Sequence, residues 1–193
     1  EVGTVSNALS IHADEAYHSL DEESKKLCER IFKSVTRKGP DHKGVSRPTK
    51  VRELAEIAQV DEEKIIGVIN TFNREDRAFL SHSGKGNISS DTLIYPSHEA
   101  LIRNWDRLRK WVDEEAASIH MYNRLAEAAA LFQMGKSNLW RPPDLQLAIN
   151  WKETNRPNLA WGRRHDPAYE RTMVFLELSE NEYFQEQENK TRG

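Results

Sequence analysis

Ser97-His98-Glu99-Ala100-Leu101-Ile102-Arg103-Asn104-Trp105-Asp106-Arg107-Leu108-Arg109-Lys110-Trp111 decides how this chain is read. Its apolar residues Leu101, Ile102, Trp105 and Leu108, with Val112 just beyond, keep the three-and-four spacing of one helical face. The spacing predicts an amphipathic helix with Ser97 as N-cap, entered from an extended Tyr95-Pro96. Glu99 then stands in the first turn, where an acid suits the positive end of a helix. One turn back along the apolar face lies His98, which the pattern turns toward other protein. Taken alone, such a histidine reads as a capping or core residue.

Working back from this segment, Ala78-Phe79-Leu80 and Thr92-Leu93-Ile94-Tyr95 read as two strands around a Gly84-Lys85-Gly86-Asn87 turn. Before them, Val51 to Ala58 predicts a short helix. Asp61 caps a second one through about Phe72, buried on Ile65, Val68, Ile69 and Phe72. A tight Gln59-Val60 turn between the two is a helix-turn-helix signature. A stronger helix opens at Leu20-Asp21-Glu22-Glu23 and runs to about Arg37 on Leu27, Cys28, Ile31, Phe32 and Val35. Helix, helix, helix, hairpin is the order of a winged helix. Lys38 to Lys50, broken by Gly39-Pro40, Gly44 and Pro48, reads as a loop; the basic residues from Arg37 to Arg52 suit a solvated surface and, as the lesser reading, contact with phosphate. Gly39 and Gly44 have the glycine spacing of a phosphate-binding loop, but Val45-Ser46 follows where a lysine and a hydroxyl are required. That loop is no nucleotide cradle.

Thr4 to His18 predicts a helix with Val5, Ala8, Leu9, Ala13 and Ala16 spaced for burial. On the far side, Glu114-Glu115 reads as a boundary, followed by a long helix from about Ala116 to Met134 that Gly135 stops. Asp144 to Trp151 predicts another helix, opened by Pro142-Pro143. Asn155 to Asp166 reads as loop. A last helix, about Pro167 to Glu188, is expected to bury Met173, Val174, Leu176, Leu178 and Phe184 before a fraying tail. The expected fold is mainly α with a small β-hairpin: a winged-helix domain over 20–113 and an all-α helical arm over 114–193.

Tyr95 to Trp105, with Arg107-Leu108 and Trp111, resembles the helix closing the winged-helix domain of bacterial STAND signal-transduction NTPases, of the novel STAND type often followed by WD repeats. By that resemblance residues 1–19 are the terminal helix of a preceding helical domain, and Leu139-Trp140-Arg141-Pro142-Pro143 matches a turn in the helical arm. Related STAND proteins, plant immune receptors among them, carry Met-His-Asp where this chain has Ser97-His98-Glu99. There the histidine reaches the β-phosphate of ADP and holds the closed state. The resemblance therefore implies a nucleotide-sensing role for His98, with Ser97, Glu99 and Arg103 as supporting residues. It also implies ADP or ATP with magnesium in a longer protein, none held by this piece alone. The implied partners are a P-loop NTPase domain of the same chain, a downstream repeat or sensor domain, and further copies on activation. The resemblance does not choose among antiphage defence, another stress response and transcriptional control as the task of the longer protein.

Composition narrows the field. The charged fraction of 31% against 37% hydrophobic fits a soluble globular chain, and a net charge of −3 gives no general attraction to nucleic acid or anionic lipid. Cys28 has no second cysteine to pair with, which fits a cytoplasmic location. No apolar run approaches a membrane span. The chain starts without methionine and in mid-pattern, as a piece of a longer protein would.

Catalytic patterns are missing. The seven histidines include no pair four apart on a helix, so a zinc site has no support. Ser97, His98 and Glu99 are the residue types of a hydrolase triad, but neighbours in one turn cannot face each other as nucleophile, base and orienter. The piece is expected not to be an enzyme. DNA binding is the rival from another class, since winged helices often enter the major groove. The second helix of the turn motif, read from Asp61 to Asp76, carries five acids against Lys64 and Arg74, and phosphates would repel it. A plain structural connector is the third reading.

Overall fold

Two aromatic clusters organise the chain, one in each of two compact units, Glu1–Ala116 and Ala117–Gly193. A computed structural model describes residues 2–74 and 78–193, and the side chains of all of these but 2–6.

The first unit begins with α1 (Val2–His18) and α2 (Glu22–Val35). Asp21 caps α2 through its carboxylate, which accepts from the Ser24 N–H at 2.7 Å. The expected face of Leu27, Cys28, Ile31, Phe32 and Val35 is buried. In α1 only Ala13 and Ala16 are buried; Leu9 is half-buried, Ala8 is exposed, and the expectation for Val5 lies outside the described side chains.

The basic stretch after α2 is not a loop. It folds into a hairpin of β1 (Thr36–Lys38) and β2 (Gly44–Ser46), with Arg37 opposite Val45. Gly39 closes the turn by donating its N–H to the Lys43 carbonyl at 2.7 Å. Strands of only three residues, Thr36-Arg37-Lys38 and Gly44-Val45-Ser46, leave no alternating pattern to read. Gly39 and Gly44 thus sit at the turn and in a strand, unlike glycines around a phosphate. Gly44 must be glycine because a Cβ there would meet Ile102.

Next come β3 (Thr49–Lys50), α3 (Val51–Ala58), α4 (Glu62–Phe72), β4 (Leu80–His82) and β5 (Leu93–Pro96). The sheet order is β3-β5-β4, antiparallel throughout, with Leu80 opposite Pro96 and Thr49 opposite Ile94. Asn73 fastens the end of α4 to β4: its amide donates to the Leu80 carbonyl at 2.8 Å and its carbonyl accepts from the Leu80 N–H at 3.1 Å. Ile65, Val68, Ile69 and Phe72 are buried as expected.

The segment that decides the reading forms two helices rather than one. They are α5 (Glu99–Asn104) and α6 (Asp106–Gln133), broken at Trp105, whose backbone is extended. Leu101, Ile102, Trp105, Leu108 and Val112 are all buried, so a one-residue break preserves the face that the spacing marks. Trp105 packs edge-on against Phe32 and Trp111, with ring centroids 5.2 and 5.4 Å away. Helix α6 runs unbroken through Glu114-Glu115, just ahead of the division between the two compact units at Ala116. Both acids lie inside α6, Glu114 paired with Lys33 at 3.1 Å and Glu115 near Arg30 at 3.9 Å, so their charges are balanced by α2.

In the second unit α6 continues to Gln133, followed by α7 (Asp144–Asn155), α8 (Leu159–Gly162) and α9 (Tyr169–Arg192). Helix α8 lies where a loop was expected; Asn158 caps it by accepting the Trp161 N–H at 2.9 Å. Tyr122, Trp151 and Trp161 form the core, the Trp151 indole donating to Ser118 Oγ at 2.9 Å. Burial, with the Asp166 charge nearby, pushes the Tyr122 hydroxyl up to about 12. The buried face of α9 is Thr172, Phe175, Leu176 and Ser179. Val174, Leu178 and Phe184, expected inside, are exposed, and Met173 is half-buried. A run of apolar residues around Phe175 fits more than one helical register, and the buried hydroxyls of Thr172 and Ser179 hide the true one. Both hydroxyls are satisfied, by the Ala168 carbonyl and the Trp140 N–H. The tail continues as helix to Arg192, with Lys190 and Arg192 favouring its negative end.

Candidate functional site

The end of β5 delivers His98. The Ser97 N–H donates to the Phe79 carbonyl at 3.0 Å, and Ser81 Oγ donates to Ser97 Oγ at 2.9 Å. Ser97 is therefore held by the strand side and is not the N-cap. That position belongs to His98, whose backbone is extended and whose carbonyl accepts the Leu101 N–H at 3.1 Å. The His98 side chain is exposed, with no hydrogen-bond partner among the described residues. It does not line the apolar face, because the helix starts one residue later than the spacing suggests.

Glu99 and Arg103 are also exposed and face each other, 3.5 Å apart and four residues along α5. The structure brings those two together and leaves His98 to one side. With six residues, α5 is too short for aligned peptide dipoles to lend His98 much positive potential. What remains is an imidazole on a fixed backbone, free to donate to an oxyanion.

The junction after α5 is tied to α1. The Trp105 indole donates to Asp14 Oδ1 at 2.7 Å, and Arg107 Nε reaches the same oxygen at 3.0 Å. Arg107 also lies over the Tyr17 ring, 4.3 Å from its centroid, and meets His18 Nε2 at 3.3 Å. Burial acts to raise the Asp14 carboxyl, but the hydrogen bonds from Trp105 and Arg107 outweigh it, and the net effect is a lowered pKa. Asp14 escaped the sequence reading, since a lone acid on a helix leaves no spacing signal.

On α4, one of the two expected cations is already engaged: Lys64 Nζ binds Glu23 at 2.7 Å. Glu62 accepts from Ser90 Oγ at 2.6 Å. The acids Glu75 and Asp76, counted in the same helix from the sequence, lie outside the described residues. Among the described residues no group of three histidines, cysteines or acids is placed to hold a metal ion. No helix among them is long and apolar enough to cross a membrane.

These elements define a mainly helical protein with two small antiparallel sheets. The model of the novel STAND NTPase 1 family matches residues 1–138, and the chain belongs to that family. No curated protein and no solved structure matches it.

Proposed function

We propose that this chain is the regulatory, nucleotide-sensing and relay portion of a STAND NTPase, with His98 as the sensing residue. In this reading residues 20–113 form a winged helix, supported by three helices flanking a β3-β5-β4 sheet. A P-loop domain elsewhere in the same longer chain holds ADP or ATP with magnesium and carries any hydrolysis. The piece itself is not the enzyme.

The observation that carries the reading is the pairing of family membership with an exposed, unpartnered imidazole on a fastened strand end. An N–H from that ring donates to a phosphate oxygen of ADP, a bond worth about 1.5–3 kcal/mol when one partner is charged. The bond exists only while the closed arrangement persists, so ADP favours that state by differential binding. Exchange for ATP moves the terminal phosphates, weakens the latch and releases the helical arm to downstream sensor or repeat domains. Ser97, bonded to the Phe79 carbonyl and to Ser81, holds the segment in place, and the exposed Glu99–Arg103 pair beside it adds little. A buried imidazole would have argued for a mere connector.

The test is the nucleotide content of the longer protein after purification. Wild type retains ADP, and His98→Ala loses most of it while its circular dichroism is unchanged. Equal ADP content in both proteins would remove His98 from the mechanism.

A further inference from the structure

A cleft of about 470 Å³ opens in the first unit between the β1–β2 turn, α5 and the start of α6. Its floor is apolar, formed by Ile102 and Val112 against Gly44. Its rim carries Lys43 from the hairpin, Arg103 from α5 and Arg109 from α6, with His42 beside them. Three permanent cations thus face one acid, Asp113, in a chain whose net charge is −3. That acid is already held by Lys38 at 3.0 Å.

The cations are loosely committed. Among the described residues Arg103 and Arg109 pair only with exposed neighbours on their own helices, Glu99 at 3.5 Å and Asp106 at 3.3 Å. Pairs of this kind contribute only tenths of a kcal/mol, so both guanidinium groups can turn to another anion at little cost. Lys43 makes no ion pair among the described residues. His42 holds a left-handed backbone, φ 63°, which tightens the turn and presents both His42 and Lys43 to the cleft. The volume falls in the range of small-ligand pockets, and planar guanidinium forks match oxyanions.

We propose that this cleft binds a small, multiply charged oxyanion, a compact molecule carrying two or more phosphate or carboxylate groups. Binding bridges the hairpin to α5 and α6, which follow it much later in the sequence, and so stabilises the first unit by mass action. Neither His98 nor the nucleotide of a P-loop domain takes part, and the site stands or falls apart from the proposed function.

The experiment is calorimetric titration of the full chain with inorganic pyrophosphate and, separately, with citrate, each at low and at high salt. Saturable one-to-one binding of either anion, weakened by salt, is expected. Pyrophosphate alone identifies phosphate as the preferred group, citrate alone identifies carboxylate, and both define a general oxyanion site. The double variant R103Q/R109Q is expected to weaken binding at least tenfold with its circular dichroism unchanged. Lys85→Gln, in the β4–β5 turn and not among the residues that line the cleft, should bind as wild type does. Binding of neither anion, or equal binding by R103Q/R109Q, overturns the proposal.

Discussion

Trp105 and Asp14 are joined by a 2.7 Å hydrogen bond across 91 residues of sequence. The indole belongs to the break between α5 and α6, and the carboxylate to α1. The bond therefore locks the N-terminal helix to the element that follows His98. Arg107 closes on the same oxygen, so one acid satisfies an indole and a guanidinium at once.

Asp14→Asn is expected to lower the stability of the first unit by about 1 kcal/mol, the discount reflecting a half-exposed carboxylate. The pH dependence has a definite sign. The Asp14 carboxyl is lowered in the fold, so the bond contributes fully above the ordinary carboxylate range and is lost as pH falls through and below it. Urea unfolding followed by tryptophan fluorescence at pH 7 and pH 3.5 should show a smaller acid-induced loss in the variant than in wild type. Equal losses would assign the acid sensitivity elsewhere.

Gly44→Ala places a Cβ against Ile102 where β2 crosses α5. Overpacking of this kind costs about 1–3 kcal/mol. The measurement is the urea midpoint of the full chain, expected to fall. An unchanged midpoint would mean that α5 yields easily at this contact.

The register of α9 gives a paired prediction. Phe175→Ala should cost about 3–5 kcal/mol, since the ring is buried beside Phe132 and Trp140. Val174→Thr and Leu178→Gln, on the exposed side, should each change stability by less than about 0.5 kcal/mol. Thermal unfolding of the three variants decides between this register and the one that buries Val174 and Leu178.

The purified chain is expected to show no ATP turnover. Phosphate release that tracks the protein through successive columns would contradict the proposed division of labour with a P-loop domain.

The helices of the first unit were legible because their faces are wholly apolar, as in Ile65-Val68-Ile69-Phe72 and Leu27-Cys28-Ile31-Phe32. The break at Trp105 was not, because the residue at the break still points inward and the spacing runs through it undisturbed. The hairpin of Thr36 to Ser46 escaped because its strands are three residues long, one of them carrying Arg37 and Lys38 and the other beginning with a glycine. The same misreading hid Lys43 as a neighbour of Arg103 on the cleft rim, since a basic stretch read as solvated loop has no reason to meet α5. The role of His98 rests on resemblance, not spacing; its exposure follows from a helix that begins at Glu99 and not at His98. Phe175 was passed over because Thr172 and Ser179, which flank it on the buried face, look polar in sequence.

The most direct test of His98 as a nucleotide sensor is the rate at which labelled ADP leaves the longer protein in a chase with unlabelled ADP. Loss of one charge-assisted hydrogen bond should make His98→Ala release ADP roughly ten to a hundred times faster than wild type. Identical release rates would contradict the account.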